Sequence, residues 1–255
     1  MLSKNKQKFI ASLNRKKIRE QQGVFIAEGH KLVIDLMGSN CKLLTLITTE
    51  EWLSEHHQNI QKNTEIITCP LSDIKKITTL KSPPSVIAIF EQNKALLNID
   101  ELNSQLCLFL DEVQDPGNLG TIIRLADWFG IEHVICTKTC ADIYNPKTIQ
   151  ATMGAIGRVK THYVDTQTFF EDYTQLGLPI YGTFLDGNNI YQEKLSKNGL
   201  IVMGNEGQGI SPSVEKFINQ KLYIPSYPSD VISSESLNVS VATAITCAEF
   251  RRQFQ

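Results

Sequence analysis

Leu106-Cys107-Leu108-Phe109-Leu110-Asp111-Glu112-Val113-Gln114-Asp115-Pro116-Gly117-Asn118-Leu119-Gly120-Thr121-Ile122-Ile123-Arg124 decides the fold class. Its first five residues are all apolar, the pattern of a strand covered on both faces in a parallel sheet. Pro116 and Gly117 make a turn, and Asn118, a good N-cap, opens a helix. Leu119, Ile122, Ile123 and Ala126 form one apolar stripe on that helix, and Gly130 stops it. Arg124 lies opposite the stripe, free to face a ligand or water. A strand–turn–helix unit of this kind places its loop where open α/β sheets bind ligands, beyond the C-terminal ends of the strands.

The alternation continues downstream. Strands are expected near 134–136, 159–164, 179–184, 200–203 and 221–224, with helices near 146–153, 169–176, after Pro212, and from about Ser236 to Phe250. Arg251 and Arg252 suit the C-terminal end of the last helix dipole. Upstream, helical spacing covers 3–13, 30–38 and Ser72 to Leu80, and strands are expected at 24–28, 43–47, 65–69 and 86–90. Ser82-Pro83-Pro84 interrupts the third of those helices. The polar run Gln92 to Ser104 reads as a linker. The expected organisation is a small α/β domain at 1–93, a linker at 94–104 and a mostly parallel α/β domain at 105–255.

Charge divides the chain further. The net charge of −2 belongs to no strongly basic nucleic-acid binder. Residues 1–100, however, carry 14 Lys and Arg against 10 Asp and Glu, and residues 101–255 carry 11 against 17. The front of the chain concentrates Lys4, Lys6, Lys8, Arg15, Lys16, Lys17 and Arg19 against Glu20 alone, which suits phosphate; a solvated first helix is the plain alternative. No apolar run approaches 18 residues, so no membrane span is expected, and the basic start lacks the apolar segment of a secretory signal. Six cysteines without a CxxC pair, several inside apolar runs, read as reduced thiols of a cytoplasmic protein rather than metal ligands.

Two more strand ends carry unusual residues. Gly204-Asn205-Glu206-Gly207-Gln208-Gly209 follows Leu200-Ile201-Val202-Met203; its glycines permit close backbone approach to a ligand and positive φ. It is neither a phosphate loop of the GxxxxGK[ST] kind nor GxGxxG. Glu206 at its centre is harder to explain by folding alone. Tyr223-Ile224-Pro225 is followed by Glu235-Ser236-Leu237-Asn238-Val239-Ser240-Val241-Ala242, where Ser236 and Asn238 are either caps or ligand-binding groups.

Taken together, Asp115-Pro116-Gly117-Asn118-Leu119-Gly120 with Arg124, Gly204-Asn205-Glu206-Gly207 with Gly209, and Ile224-Pro225 with Ser236 to Ala242 strongly resemble the SpoU/TrmH branch of the SPOUT RNA methyltransferases. Ala151-Thr152-Met153-Gly154-Ala155 is similar to the family's small-residue helix end. Phe25-Ile26-Ala27-Glu28-Gly29 and Thr78 to Val86 resemble the RNA substrate-binding domain often fused in front, itself similar to ribosomal RNA binders. The resemblance implies a C-terminal domain with a deep trefoil knot, S-adenosylmethionine bound in the knot, a homodimer formed through the C-terminal domain, and methyl transfer to a ribose 2′-hydroxyl of RNA, with ribosomal favoured over transfer RNA. It implies no metal and no membrane partner. It assigns Arg124, Asn118, Glu206, Ser236 and Asn238 to catalysis. Cofactor contacts fall to Thr183, Gly204, Asn205, Glu206, Gly207, Ile224, Pro225, Ser226, Ser236, Leu237, Asn238 and Val239. RNA contacts fall to the basic N-terminal residues, Lys31 and Arg124. Arg124 would hold the 3′ phosphate and stabilise the developing alkoxide, oriented by Asn118 and Glu206. The stretch Ser226 to Ser234 is longer than in many family members.

Competing readings are a transfer RNA methyltransferase, a non-catalytic RNA-binding protein on the same fold, and a dinucleotide-dependent oxidoreductase. The missing GxGxxG after the first strand of the second domain argues against the last.

Overall fold

The computed structural model of the chain describes residues 2–93, 96–228 and 236–254. In chain order the elements are Lys4–Ser12 (α1), Lys16–Gln22 (α2), Val24–Glu28 (β1), His30–Met37 (α3), Leu43–Thr48 (β2), Glu50–His56 (α4), Glu65–Thr68 (β3), Leu71–Ile74 (α5) and Val86–Glu91 (β4). There follow Leu106–Leu110 (β5), Pro116–Trp128 (α6), His133–Thr137 (β6), Pro146–Thr152 (α7), Lys160–Val164 (β7), Thr166–Thr174 (α8), Ile180–Asn189 (β8), Gly199–Met203 (β9), Pro212–Glu215 (α9), Gln220–Tyr223 (β10) and Val239–Arg252 (α10). They form two compact units, Met1–Lys94 with Asp142–Arg158, and Ala95–Ala141 with Val159–Gln255.

The first unit is built on a four-stranded sheet of order β1-β4-β2-β3, antiparallel except for β2 beside β3. Side chains alternate across it as strand geometry requires. Phe25, Ala27, Val86, Ala88 and Phe90 face one core with Leu32, Val33 and Leu36 of α3 and Trp52 of α4. Val24, Ile26, Ile87 and Ile89 face the other with Ile10 of α1 and Ile74 of α5. Asp142–Arg158, although within 105–255, belongs to this unit. Ile149 is fully buried in the first core, Tyr144 stacks on Phe25 with ring centroids 5.1 Å apart, and Gln150 donates to the Glu28 carbonyl. The helix expected from Ser72 to Leu80 is only the single turn α5. Buried Glu28 accepts hydrogen bonds from both Thr78 and Thr79, and these bonds hold the following residues in a turn.

The second unit holds a six-stranded sheet of order β10-β8-β9-β5-β6-β7, parallel throughout. β5, β6 and β9 are buried along their whole length; β5 and β9 carry no polar side chain, as burial on both faces requires, and β6 adds buried His133 and Thr137 at its ends. Phe169, Phe170 and Tyr173 of α8 and Val214 of α9 cover Cys107, Phe109, Leu200 and Val202. From the opposite face Tyr181 meets Phe250 of α10 edge-on. Within the polar run before β5, Ile99–Leu102 forms a 3-10 turn, and Leu102 is fully buried. The chain runs outward from β5 through β6 to β7, then returns to lay β8 and β9 on the other side. The β5–β9 boundary is therefore the topological switch point, where α/β sheets place ligand sites.

Candidate active site

The loops after β5 and β9 leave this switch point side by side. α6 begins earlier than expected: Asp115, not Asn118, is its N-cap and accepts from the Asn118 amide nitrogen at 2.9 Å, with Pro116 at the first helical position. Asn118 therefore stands in the first turn with its side chain free to act elsewhere. Its Nδ2 donates to Glu206 Oε1 at 2.6 Å, and its Oδ1 accepts from Asn238 Nδ2 at 3.1 Å. One asparagine thus joins three segments separated by 88 and 120 positions in sequence.

Each partner is held in turn. Asn238 is the N-cap of α10, which begins at Val239, three residues after the start expected from sequence; the Asn238 Oδ1 accepts from the Ser240 and Val241 amides and from Ser240 Oγ. Asn205 does not offer its side chain to a ligand. Oδ1 accepts from the amides of Gly207 and Gln208, and Nδ2 donates to the Glu112 carbonyl at 2.8 Å. Glu112 sits at φ 57, a conformation rare for a residue with a side chain. Three groups fix it: Asn205, Thr137 Oγ1, which accepts from its amide, and Thr139 Oγ1, which donates to its carboxylate. Buried Asp111 accepts from the Ser211 amide at 2.7 Å and ties the same two loops together. Sequence reasoning missed Asp111, Glu112, Thr137 and Ser211. The one local hint was the Asp111-Glu112 pair ending an apolar strand.

The glycines of the β9 loop divide by task. A Cβ on Gly204 would lie 2.3 Å from the Gly209 carbonyl carbon, so Gly204 lets the loop fold back on itself. The Asn205 and Gly209 backbones close it with two 2.9 Å bonds, and Gly209 needs its φ of 71. Space stays open beside Gly209, with nothing within 4 Å, and beside Gly207, whose nearest neighbour is Asn205 Oδ1 at 3.6 Å.

Arg124 is exposed on α6 and forms no hydrogen bond or ion pair among the described residues. Asn118 and Glu206 bond to each other and not to Arg124, contrary to the expected direct orientation. Any orientation passes through α6, in which Arg124 stands about 9 Å along the axis from Asn118. Thr183 Oγ1 lies 3.9 Å from Met203 Sδ, at the strand end next to the glycine loop. Ile224, Pro225 and Ser226 are half-buried beyond β10; Ser236 and Leu237 are exposed, and Val239 is buried at the start of α10. Of the extension 226–234, residues 229–234 lie outside the described residues.

The residues present fit an adenosine-containing sulfonium. Ile224 and Leu237 supply apolar surface at strand and helix ends, with Leu237 48% exposed. The side chains of Ser226 and Ser236 have no hydrogen-bond partner among the described residues. The Glu206 carboxylate, held by Asn118 Nδ2, adds negative charge at the glycine loop.

Among the basic residues of the first unit, Arg19 is not available to RNA. It is 1% exposed, pairs with Asp142 at 2.5 Å and donates to the Leu13 carbonyl. Lys6 pairs with Glu65 and Lys16 with Glu20. Lys4, Lys8, Arg15, Lys17 and Lys31 are exposed. All six cysteines are free, and all but Cys41 are buried. Among the described residues no three His, Cys, Asp or Glu side chains form a metal-binding group, and no helix is long and apolar enough to cross a membrane.

Comparison with known proteins identifies the family. The profile of the SpoU rRNA Methylase family matches residues 105–248, and that of the MRM3-like substrate binding domain matches residues 4–88. A 23S rRNA (guanosine(2553)-2'-O)-methyltransferase of Bacillus subtilis is 28% identical over 240 residues, covering 94% of this chain and 93% of that one. A Porphyromonas gingivalis protein of the TrmH family is 39% identical, with a TM-score of 0.89 over 99% of both chains. The AdoMet-bound rRNA methyltransferase of Sinorhizobium meliloti is 28% identical, with a TM-score of 0.88 over 100% of this chain and 98% of that one. Matched by a family profile across more than half its length, with the profile's span enclosing the Asn118–Glu206–Asn238 junction, the chain belongs to the SpoU rRNA methylase family.

Proposed function

We propose that the chain is an S-adenosylmethionine-dependent methyltransferase acting on a ribose 2′-hydroxyl of ribosomal RNA. The hydrogen-bonded junction of Asn118, Glu206 and Asn238 at the switch point of a parallel sheet carries this reading. Exposed Arg124 stands on the helix that the junction anchors.

S-adenosylmethionine supplies a methyl group on a cationic sulfur. Gly204 to Gly207, Ile224 to Ser226 and Ser236 to Val239 are the segments that would hold it, with Thr183 at their border. A ribose hydroxyl is a weak nucleophile near neutral pH and must be polarised as it attacks. A guanidinium keeps its proton, so Arg124 serves not as the base but as a clamp on the adjoining phosphate and a donor to the forming alkoxide. Asn118, locked by Glu206 and Asn238, fixes the first turn of α6 and hence the helix that carries Arg124. Ser236, with no partner of its own among the described residues, borders the acceptor sugar.

In this reading residues 1–93 bind RNA substrate and residues 105–255 carry the methyltransferase, with the knot of its family and a homodimer through that part. Trp128 at the end of α6 and Val241 on α10, 83% and 47% exposed, support such a dimer. Six free cysteines, five of them buried, support a cytoplasmic location. Incubating the protein and labelled S-adenosylmethionine with total RNA from a strain lacking its gene should label one ribose of ribosomal RNA. Label in transfer RNA, on a base, or nowhere would defeat the reading. Arg124→Lys should cut turnover by roughly 10²–10³-fold, the scale for loss of an oriented donor to a developing oxyanion, and leave cofactor affinity unchanged.

A further inference from the structure

The first unit is electrically two-faced. Its two compact parts together carry 16 Lys and Arg against 10 Asp and Glu, whereas the second unit carries 9 against 17. The surplus in the first unit is not spread evenly over its two helical layers. The layer formed by α1, α2 and α5 packs on the sheet face of Ile26, Ile87 and Ile89. Residues 4–22 and 71–76, which make that layer, hold nine Lys and Arg against Glu20 and Asp73. The opposite layer, α3, α4 and α7, holds Lys31 and Lys147 against Asp35, Glu50, Glu51 and Glu55.

The cations of the first layer are largely unspent. Both acids of that layer are engaged, Glu20 with Lys16 and Asp73 with Lys76 and the Leu2 amide. Lys4, Lys8, Arg15, Lys17 and Lys75 are exposed and form no ion pair among the described residues. The layer is continuous: Leu2, Ile10 and Leu13 share a core with Ile74 and Ile77, and Arg19 ties α2 to the end of α1 through the Leu13 carbonyl. Folding gains nothing from five like charges on one contiguous layer, which repel one another. A polyanion with regularly spaced charge would relieve that repulsion and release its own counterions.

We propose that the α1–α2–α5 layer, Lys75 and Lys76 included, is the surface on which the RNA phosphate backbone lies, and that the α3–α4–α7 layer takes no part. This rests on the RNA methyltransferase reading above and adds to it a face and a binding mode: the contacts go to phosphates, read charge rather than sequence, and leave the choice of nucleotide to the catalytic unit. Arg19 and Lys31 are excluded from it, the first by burial, the second by its layer.

The test uses the full-length protein and a labelled 30-nucleotide RNA hairpin, with binding followed by anisotropy across a salt series. The variant Lys4→Gln/Lys8→Gln/Lys17→Gln/Lys75→Gln should flatten the slope of log affinity against log salt by about 3, at roughly 0.7–0.9 for each phosphate no longer neutralised. Its affinity at 0.15 M salt should fall by at least tenfold, while its affinity for S-adenosylmethionine and its melting temperature stay at wild-type values. Glu50→Gln/Glu51→Gln/Glu55→Gln changes net charge by a similar amount on the other layer. It should alter RNA affinity less than threefold, because charges beyond the Debye length of about 8 Å are screened. A wild-type slope in the lysine variant, or a tightening by the glutamate variant as large as the lysine variant's loss, overturns the proposal. A wild-type protein that binds the hairpin with the expected slope yet methylates no RNA would sink the enzymatic reading and leave the face intact.

Discussion

At the scale of single residues the account turns on Asn118, which lies between a carboxylate and another asparagine. Its amide is suited to that place because it donates on one side and accepts on the other. Asn118→Asp keeps the shape but sets a second carboxylate against Glu206, where two negative charges in contact must share a proton. Turnover of that variant should be at least tenfold below wild type at pH 8 and recover partly toward pH 5.5. A pH–rate profile parallel to wild type would show that the junction has no role in the reaction. Asn118 was legible in the sequence as a residue of interest, but for the wrong reason. Its good capping propensity hid the fact that Asp115, directly before a proline, was the better cap. That left the asparagine's side chain to be explained by a contact 88 positions away, which no local pattern reports.

Among elements, the parallel strands were the most legible, because a strand covered on both faces must be apolar throughout, as β5 and β9 are. Helices that depend on tertiary contacts were not: α2 and α4, at seven residues each, went unread. β8 runs ten residues, not the six expected, because its outer end pairs with β10 after a register shift. α10 shows how one residue can serve both an element and the site. Asn238→Ala removes its cap and should lower stability by about 1 kcal/mol, seen as a lower melting temperature. Asn238→Ser keeps a capping oxygen but loses the donor to Asn118. It should melt near the wild-type temperature and still lose most activity, and equal losses of stability in the two variants would contradict this division. β6 and β7 carry a second testable feature. His133 and His162 are buried and meet through Nδ1 and Nε2 at 3.2 Å. Burial, with Lys160 nearby, holds the His133 imidazole below its usual range, against Glu101 and Glu132. The unfolded chain therefore takes up a proton more readily than the folded one. The stability due to this group is present above about pH 6.5, the unfolded value, and is lost as pH falls toward the lower folded value. Chemical denaturation at pH 7.5 and 5.5 should show that loss, and His133→Gln should reduce it; a variant with an undiminished loss would place the effect elsewhere.

For the whole molecule, the chain order of the two units is not their spatial composition. The alternation of strands and helices gave no sign that Asp142–Arg158 would pack with the first unit, because Tyr144 and Ile149 look like ordinary core residues of whichever sheet is nearer in sequence. Their partners, Phe25 and the β1 face, are known only from the fold. Ile149→Ala should therefore destabilise the first unit by about 2–5 kcal/mol. A fragment of residues 1–93 should be less protected from hydrogen exchange in β1 than the full chain. Equal protection would mean that the 142–158 segment contributes nothing to that core.

The central claim is that the loops after β9 and β10 and the start of α10 close around one S-adenosylmethionine, with Arg124 on the side of the acceptor. Crystals grown with S-adenosylmethionine test it directly. The cofactor should contact Gly207, Ile224 and Leu237, with its methyl group turned toward the open space in front of Arg124. Density for it away from these three segments, or a methyl group facing away from α6, would contradict the account.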